Sequence, residues 1–151
     1  MLRDRGEMAT CAFCSIVTGT SPAHRILEDP LCVAFLDARP LFPGHTLVVP
    51  RAHRATFRDV QSIELGALLG AAQRVSAALE AALASEGTFV GMNDRVSQSV
   101  PHVHMHVVPR RRGDGLRGFF WPRHKYASDE EAAGVASKIR TALANLPEGE
   151  P

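Results

Sequence analysis

The sequence predicts an α+β domain built on a mostly antiparallel five-stranded sheet, with one long helix and a C-terminal helix. Three observations predict it. Short runs rich in β-branched and aromatic residues occur before residue 50 and again between 88 and 109, joined by turns and short loops. One long amphipathic run separates the two groups, and a second follows them. No strand-to-helix glycine fingerprint for a dinucleotide or a P-loop phosphate is present.

The elements follow in order. "CAFCSIVTG" reads as a short turn or helical segment closed by Gly19. Residues 25–28 and 31–36 (LCVAFL) read as two strands with "EDP" between them. "ARPLFPG" is a Pro/Gly-punctuated loop, and 45–50 (HTLVVP) is a third strand ended by Pro50. Residues 62–85 carry the strongest helical signal, with Leu65, Leu68, Ala72, Val75, Leu79 and Leu83 on one stripe. A fourth strand (88–93) and a fifth (103–109) flank the polar loop "DRVSQS". Ser128 to Glu131 has the S-x-x-E spacing of a capping box. Ala132, Val135, Ala136, Ile139 and Leu143 then line one face, until Leu146-Pro147 ends the helix.

At 151 residues the chain makes a single domain, 11–146, between a 1–10 tail and a 147–151 tail. The formal charge of +1 supplies no field for nucleic acid or an acidic membrane surface. Arg110-Arg111-Arg112 is too short a basic run to change that, so nucleic acid is not an expected partner. No apolar run approaches the roughly 18 residues of a membrane span, and the tail has no apolar h-region of a signal peptide. An odd count of three cysteines favours a reducing compartment, with the cytoplasm as the default.

"HVHMHVVPR" carries the chemistry. On a strand, side chains alternate, so His102, His104 and His106 share one face and Val103, Met105 and Val107 the other. A single strand histidine is ordinarily a hydrogen-bonded, partly buried residue, but three in alternation meet no simple structural need. Two readings remain open: a facial three-histidine metal site, or nucleophilic and acid–base catalysis by imidazole. Cys11-Ala-Phe-Cys14 is likewise open between a redox pair, half of a zinc site and coincidence. A redox pair expects a preceding strand, and only a charged tail precedes it. Cys32 lies mid-strand as a small core residue.

Several motifs together resemble the histidine triad superfamily of nucleotide hydrolases and transferases. They are "CAFCSIV", "VAFLDARPLFPGHTLVVPRAH", Asn93, Gln98-Ser99-Val100 before the triad, and Pro109-Arg110 after it. "GDGLRGFFWPRHKY" is similar to the tail of bacterial members. The resemblance spans Cys11 to about Tyr126 and implies a HIT-like fold. It implies His104 as the nucleophile on an α-phosphorus, His106 as the phosphate and leaving-group contact, and His45 as the residue that orients the triad. It also implies Asp37 on the ribose hydroxyls, Ser99 and Asn93 near the phosphate or leaving group, with Gln98 beside them. Phe13, Ile16 and Leu36 are candidates for an apolar base slot, or ordinary core. By the same resemblance Cys11, Cys14, His53 and His102 would hold a structural Zn²⁺, and catalysis would require no cofactor.

The expected activity is cleavage or transfer of a nucleoside monophosphoryl group, AMP first, from dinucleoside polyphosphates, phosphoramidates or adenylylated metabolites. Attack by phosphate would make the chain a phosphorylase. A nucleotide-binding regulatory module and a zinc hydrolase using all three histidines are the rival classes. The resemblance further implies a homodimer, with the long helix and a sheet edge at the interface. Phe119-Phe120 and Trp121 would cover a pocket or cross to the partner.

Overall fold

The computed structural model describes residues 11–116 and 124–146. The expected tails and the Phe119–Trp121 cluster lie outside the described residues. Two compact units divide between Asp114 and Gly115.

The first unit holds a five-stranded sheet in the order β1 (Arg25–Glu28), β2 (Cys32–Leu36), β3 (Thr46–Pro50), β5 (Met105–Arg110), β4 (Gly87–Gly91). Every neighbouring pair is antiparallel. Helix α1 (Ala12–Thr18) precedes the sheet, and helix α2 (Ser62–Leu83) connects β3 to β4. All five expected strands are present; β1 has the expected bounds and each of the other four is one residue shorter than its expected run. A 3₁₀ turn at Phe57–Asp59 has no periodic signature in the sequence.

The sheet buries both faces, and strand alternation sorts its residues between them. Cys32, Ala34, Val48, Met105 and Val107 pack with Leu68, Ala72, Val75 and Leu79 of α2. Val33, Phe35, Leu47 and Val49 pack on the opposite face with Cys11, Phe13 and Cys14 of the α1 segment. The histidines alternate with Val103, Met105 and Val107, so they belong to the α1 side. This face is not an open polar surface: His102 is fully buried and His104 is 5% exposed.

α2 starts with Glu64 accepting the Gln61 N–H at 2.8 Å, while Arg54 grips the same carboxylate through Nε at 2.9 Å. Its C-cap, Ala84, takes a left-handed conformation at φ 51°. Gly44 has φ +98°, and a Cβ there would stand 2.5 Å from Leu83 and 3.0 Å from Leu79. The left-handed turn immediately before His45 therefore favours glycine, and a side chain there would also have to displace the ends of the Leu83 and Leu79 side chains.

The second unit contains α3 (Asp129–Ala144), none of whose residues is buried. Ser128 accepts the Glu131 N–H at 3.2 Å, as the capping spacing predicts. The return bond differs: the Glu131 carboxylate reaches Ala127 N–H, one residue before the cap.

Candidate active site and metal centre

Backbone carbonyls fix the histidine tautomers, because a carbonyl can only accept. His104 Nδ1 lies 2.7 Å from His102 O, so Nδ1 carries the proton and Nε2 keeps its lone pair. His102 Nε2 lies 2.9 Å from Pro50 O, so His102 turns its Nδ1 lone pair the other way. Leu41 N–H donates to His45 Nδ1 at 3.1 Å, which puts the His45 proton on Nε2. That proton points at His106 Nδ1, 2.9 Å away, and leaves His106 with an N–H at Nε2. The triad thus alternates: His102 and His106 carry N–H at Nε2, and His104 carries it at Nδ1.

His104 and His106 line a cavity of about 890 Å³ together with Phe13, Ile16, Leu36, Asp37 and Ser99. Its volume suits a ligand of nucleotide size. The Phe13 ring meets the His104 ring edge-on at 5.1 Å and Phe35 at 5.5 Å, which closes the α1 side of the slot. Asp37 serves its turn through Oδ1, which accepts Arg39 N–H at 2.8 Å. Its Oδ2 is 3.7 Å from His45 Nε2. Asp37, His45 and His106 lie close enough to be a ligand set. The Leu41 N–H on His45 Nδ1 argues instead for a hydrogen-bond chain, since His45 Nε2 has no lone pair to give.

Asn93 and Gln98 are not among the cavity-lining residues. Asn93 Nδ2 donates to Ser97 O at 3.3 Å. Gln98 accepts Arg95 N–H and donates to Ala55 O, both at 2.8 Å. These bonds fold a loop in which Arg95 and Ser97 have φ of 66° and 60°. The loop delivers Ser99 to the cavity. Two polar lining residues, His24 and Arg39, were not among the expected site residues. The only signal for Arg39 was its place two residues after Asp37.

Burial pushes His106 down to about 4, helped by the charges of His104 and His45 and opposed by Asp37. Burial also lowers His45, again against Asp37. Both rings are therefore neutral at pH 7, as the hydrogen-bond chain requires.

On the other side of His102 a second cluster forms. Cys11 Sγ and Cys14 Sγ each lie 3.5 Å from His102 Nδ1, and Cys14 Sγ lies 3.3 Å from His53 Nδ1. In a tetrahedral zinc site a sulfur and a nitrogen ligand stand about 3.5 Å apart, so this donor set fits. Burial, together with Cys11 beside it, pushes the Cys14 thiol up to about 12, and burial pushes His102 down to about 4. A cation would displace the thiol proton and find a neutral imidazole ready. The triad histidines do not form a joint metal set among the described residues. Cys32 is buried in the α2-side core, as expected.

A HIT domain family model matches residues 18–113. An adenylylsulfatase of Arabidopsis thaliana is 32% identical, over 91% of this chain and 72% of its own. An adenosine 5′-monophosphoramidase of Schizosaccharomyces pombe is 31% identical, over 87% of this chain and 99% of its own. The crystal structure of a Zn-bound histidine triad family protein from Mycobacterium smegmatis superposes with a TM-score of 0.70 at 33% identity. It covers 89% of this chain and 99% of that one.

Proposed function

The chain belongs to the histidine triad (HIT) family, and from that premise we propose that it hydrolyses or transfers nucleoside monophosphoryl groups through a covalent nucleotidyl-His104 intermediate. One observation carries the reading. The His102 carbonyl accepts the His104 Nδ1–H, so the lone pair of the uncharged tautomer sits at Nε2, on a residue that lines a nucleotide-sized cavity. In the first step Nε2 bonds to the α-phosphorus, and the leaving group departs with the electrons of the broken bond. Water or another hydroxyl acceptor then attacks phosphorus, the P–N bond breaks with its electron pair returning to His104 Nε2, and the acceptor's proton passes to that lone pair or to solvent. His106 Nε2–H hydrogen-bonds the phosphate oxygens or the leaving group, and His45 keeps it in that tautomer. Asp37 accepts the ribose hydroxyls, and Ser99 meets the phosphate end.

The names of the plant and yeast relatives make adenylyl the group to test first. Adenosine 5′-phosphoramidate and a labelled dinucleoside polyphosphate should both release AMP. Enzyme denatured in alkaline detergent, which spares the acid-labile P–N bond, should carry bound AMP, and His104→Ala should lose both signals. The expected loss of kcat/KM is on the order of 10⁴-fold or more, with an unchanged melting temperature. Normal turnover by His104→Ala would falsify the mechanism.

Cys11, Cys14, His53 and His102 are proposed to hold Zn²⁺ as a structural ion, with no position left for water. Three free cysteines suit a reducing compartment, and the cytoplasm is the proposed location. A homodimer is proposed through α2 and the β4 edge. Leu69 and Val90 are exposed there beside a groove of about 300 Å³ shared with Ser76 and Glu80. Light scattering should give twice the chain mass, and a Leu69→Glu, Val90→Glu variant should give the monomer.

A further inference from the structure

The lining of the cavity holds two donors that the proposed reaction does not use. We propose that Arg39 and His24 read the edge of the base and make the pocket prefer 6-oxopurines, guanine and hypoxanthine alike, over adenine. The inference rests on the α-phosphate reading, because that reading sets which way the nucleotide lies.

Strand order supplies the direction. His104 lies just ahead of β5 and His106 on it; β3 is next, then β2, which ends at Leu36, and then β1. With phosphorus at His104 and ribose at Asp37, the base must continue away from β5, since phosphate and base leave a ribose on opposite sides. His24 stands at this far end: its carbonyl accepts Leu36 N–H at 2.9 Å, directly beside the ribose carboxylate. Arg39 stands two residues beyond Asp37 and lines the same cavity. The cover over this end is fixed, because Arg25 donates to Ile16 O and so ties α1 to β1.

Phe13 and Ile16 supply an apolar wall, which grips any purine by area and does not discriminate. Discrimination needs polar groups at the rim. Among the described residues neither the Arg39 guanidinium nor the His24 ring has a hydrogen-bond or ion-pair partner, and both side chains are exposed. A guanidinium has donors only, in a fork that fits the O6 and N7 acceptors of guanine. Imidazole carries at least one N–H in either protonation state. Adenine presents an amino group where guanine presents O6, so donor would meet donor. The leaving group lies at the β5 end, out of the way of this rim.

Binding of GMP, IMP and AMP to the full chain, measured by calorimetry, tests the proposal without any turnover. GMP and IMP should bind about tenfold more tightly than AMP, the scale of one good bidentate contact at an exposed rim. Arg39→Ala and His24→Ala should each narrow that ratio, and Arg39→Lys should narrow it too, because the charge stays and the fork is lost. Thermal melting confirms that each variant is folded. Equal affinity for GMP and AMP overturns the proposal and leaves the reaction untouched. So does an Arg39→Ala variant that weakens all three nucleotides by the same factor, which would assign Arg39 to the phosphate or ribose. If no nucleotide binds at all, the α-phosphate reading falls and this proposal falls with it.

Discussion

His106 shows how a single residue's chemistry depends on its neighbours. Alone on a strand it would titrate near the ordinary 6.5, yet burial and the adjoining histidines bring it to about 4. The sign for stability follows from proton counting. Between pH 6.5 and 4 the unfolded chain takes up a proton at this residue that the folded chain refuses. Its contribution is therefore complete above about 6.5 and is lost as pH falls toward 4. His106→Asn removes this ionisation, so the gap in melting temperature between pH 7.5 and pH 5 should be smaller for the variant than for the parent. Identical gaps would show that His106 is not held neutral by the fold. The residue types were legible in the sequence: a triad histidine, an Asp after a strand, a C-x-x-C. Their tautomers were not, because those depend on the carbonyls of His102 and Pro50 and on Leu41 N–H.

At the scale of elements, periodicity read well where one face of an element is buried. Leu68, Ala72, Val75 and Leu79 form the stripe that α2 lays on the sheet, and the stripe gave the helix its length to within two residues. Strand limits were less legible. The triad run looked like strand from Val103, but the ladder with β3 begins at Val48 and Met105. Pro50 ends β3, and the backbone ahead of Met105 turns to other partners: His102 N–H to Val100 O and Val103 N–H to Arg54 O. Leaving the ladder early lets His102 face the cysteines while His104 faces the cavity. Asn93 and Gln98 mark a second limit. Their positions resembled substrate contacts, whereas in the fold their amides bond within the loop and to Ala55. A polar residue's hydrogen-bond partner is a property of the loop's path, which no local pattern states.

At the scale of the molecule, His102 joins two sites. Its Nδ1 faces Cys11, 91 positions earlier in the chain, and its carbonyl holds the His104 proton. An ion bound to Cys11, Cys14, His53 and His102 would cross-link the α1 segment, the end of β3 and the approach to β5. α1 in turn carries Phe13 against His104 and Ile16 along the slot. Closing such long loops favours the folded state chiefly by restricting the unfolded chain. Metal analysis of the protein as purified should give one zinc per chain, and none in a Cys11→Ser, Cys14→Ser variant. That variant should melt more than ~10 °C lower, the scale of a few kcal/mol for a domain of this size. Its kcat should fall along with its affinity for nucleotide, because both the His104 carbonyl partner and the Phe13 cover depend on the cross-link. Chelation of the parent should reproduce these losses and added Zn²⁺ should reverse them, whereas added Zn²⁺ should not rescue the variant. A variant that melts and turns over like the parent would separate the cysteine cluster from the catalytic strand and leave His102 as a residue of the active site alone.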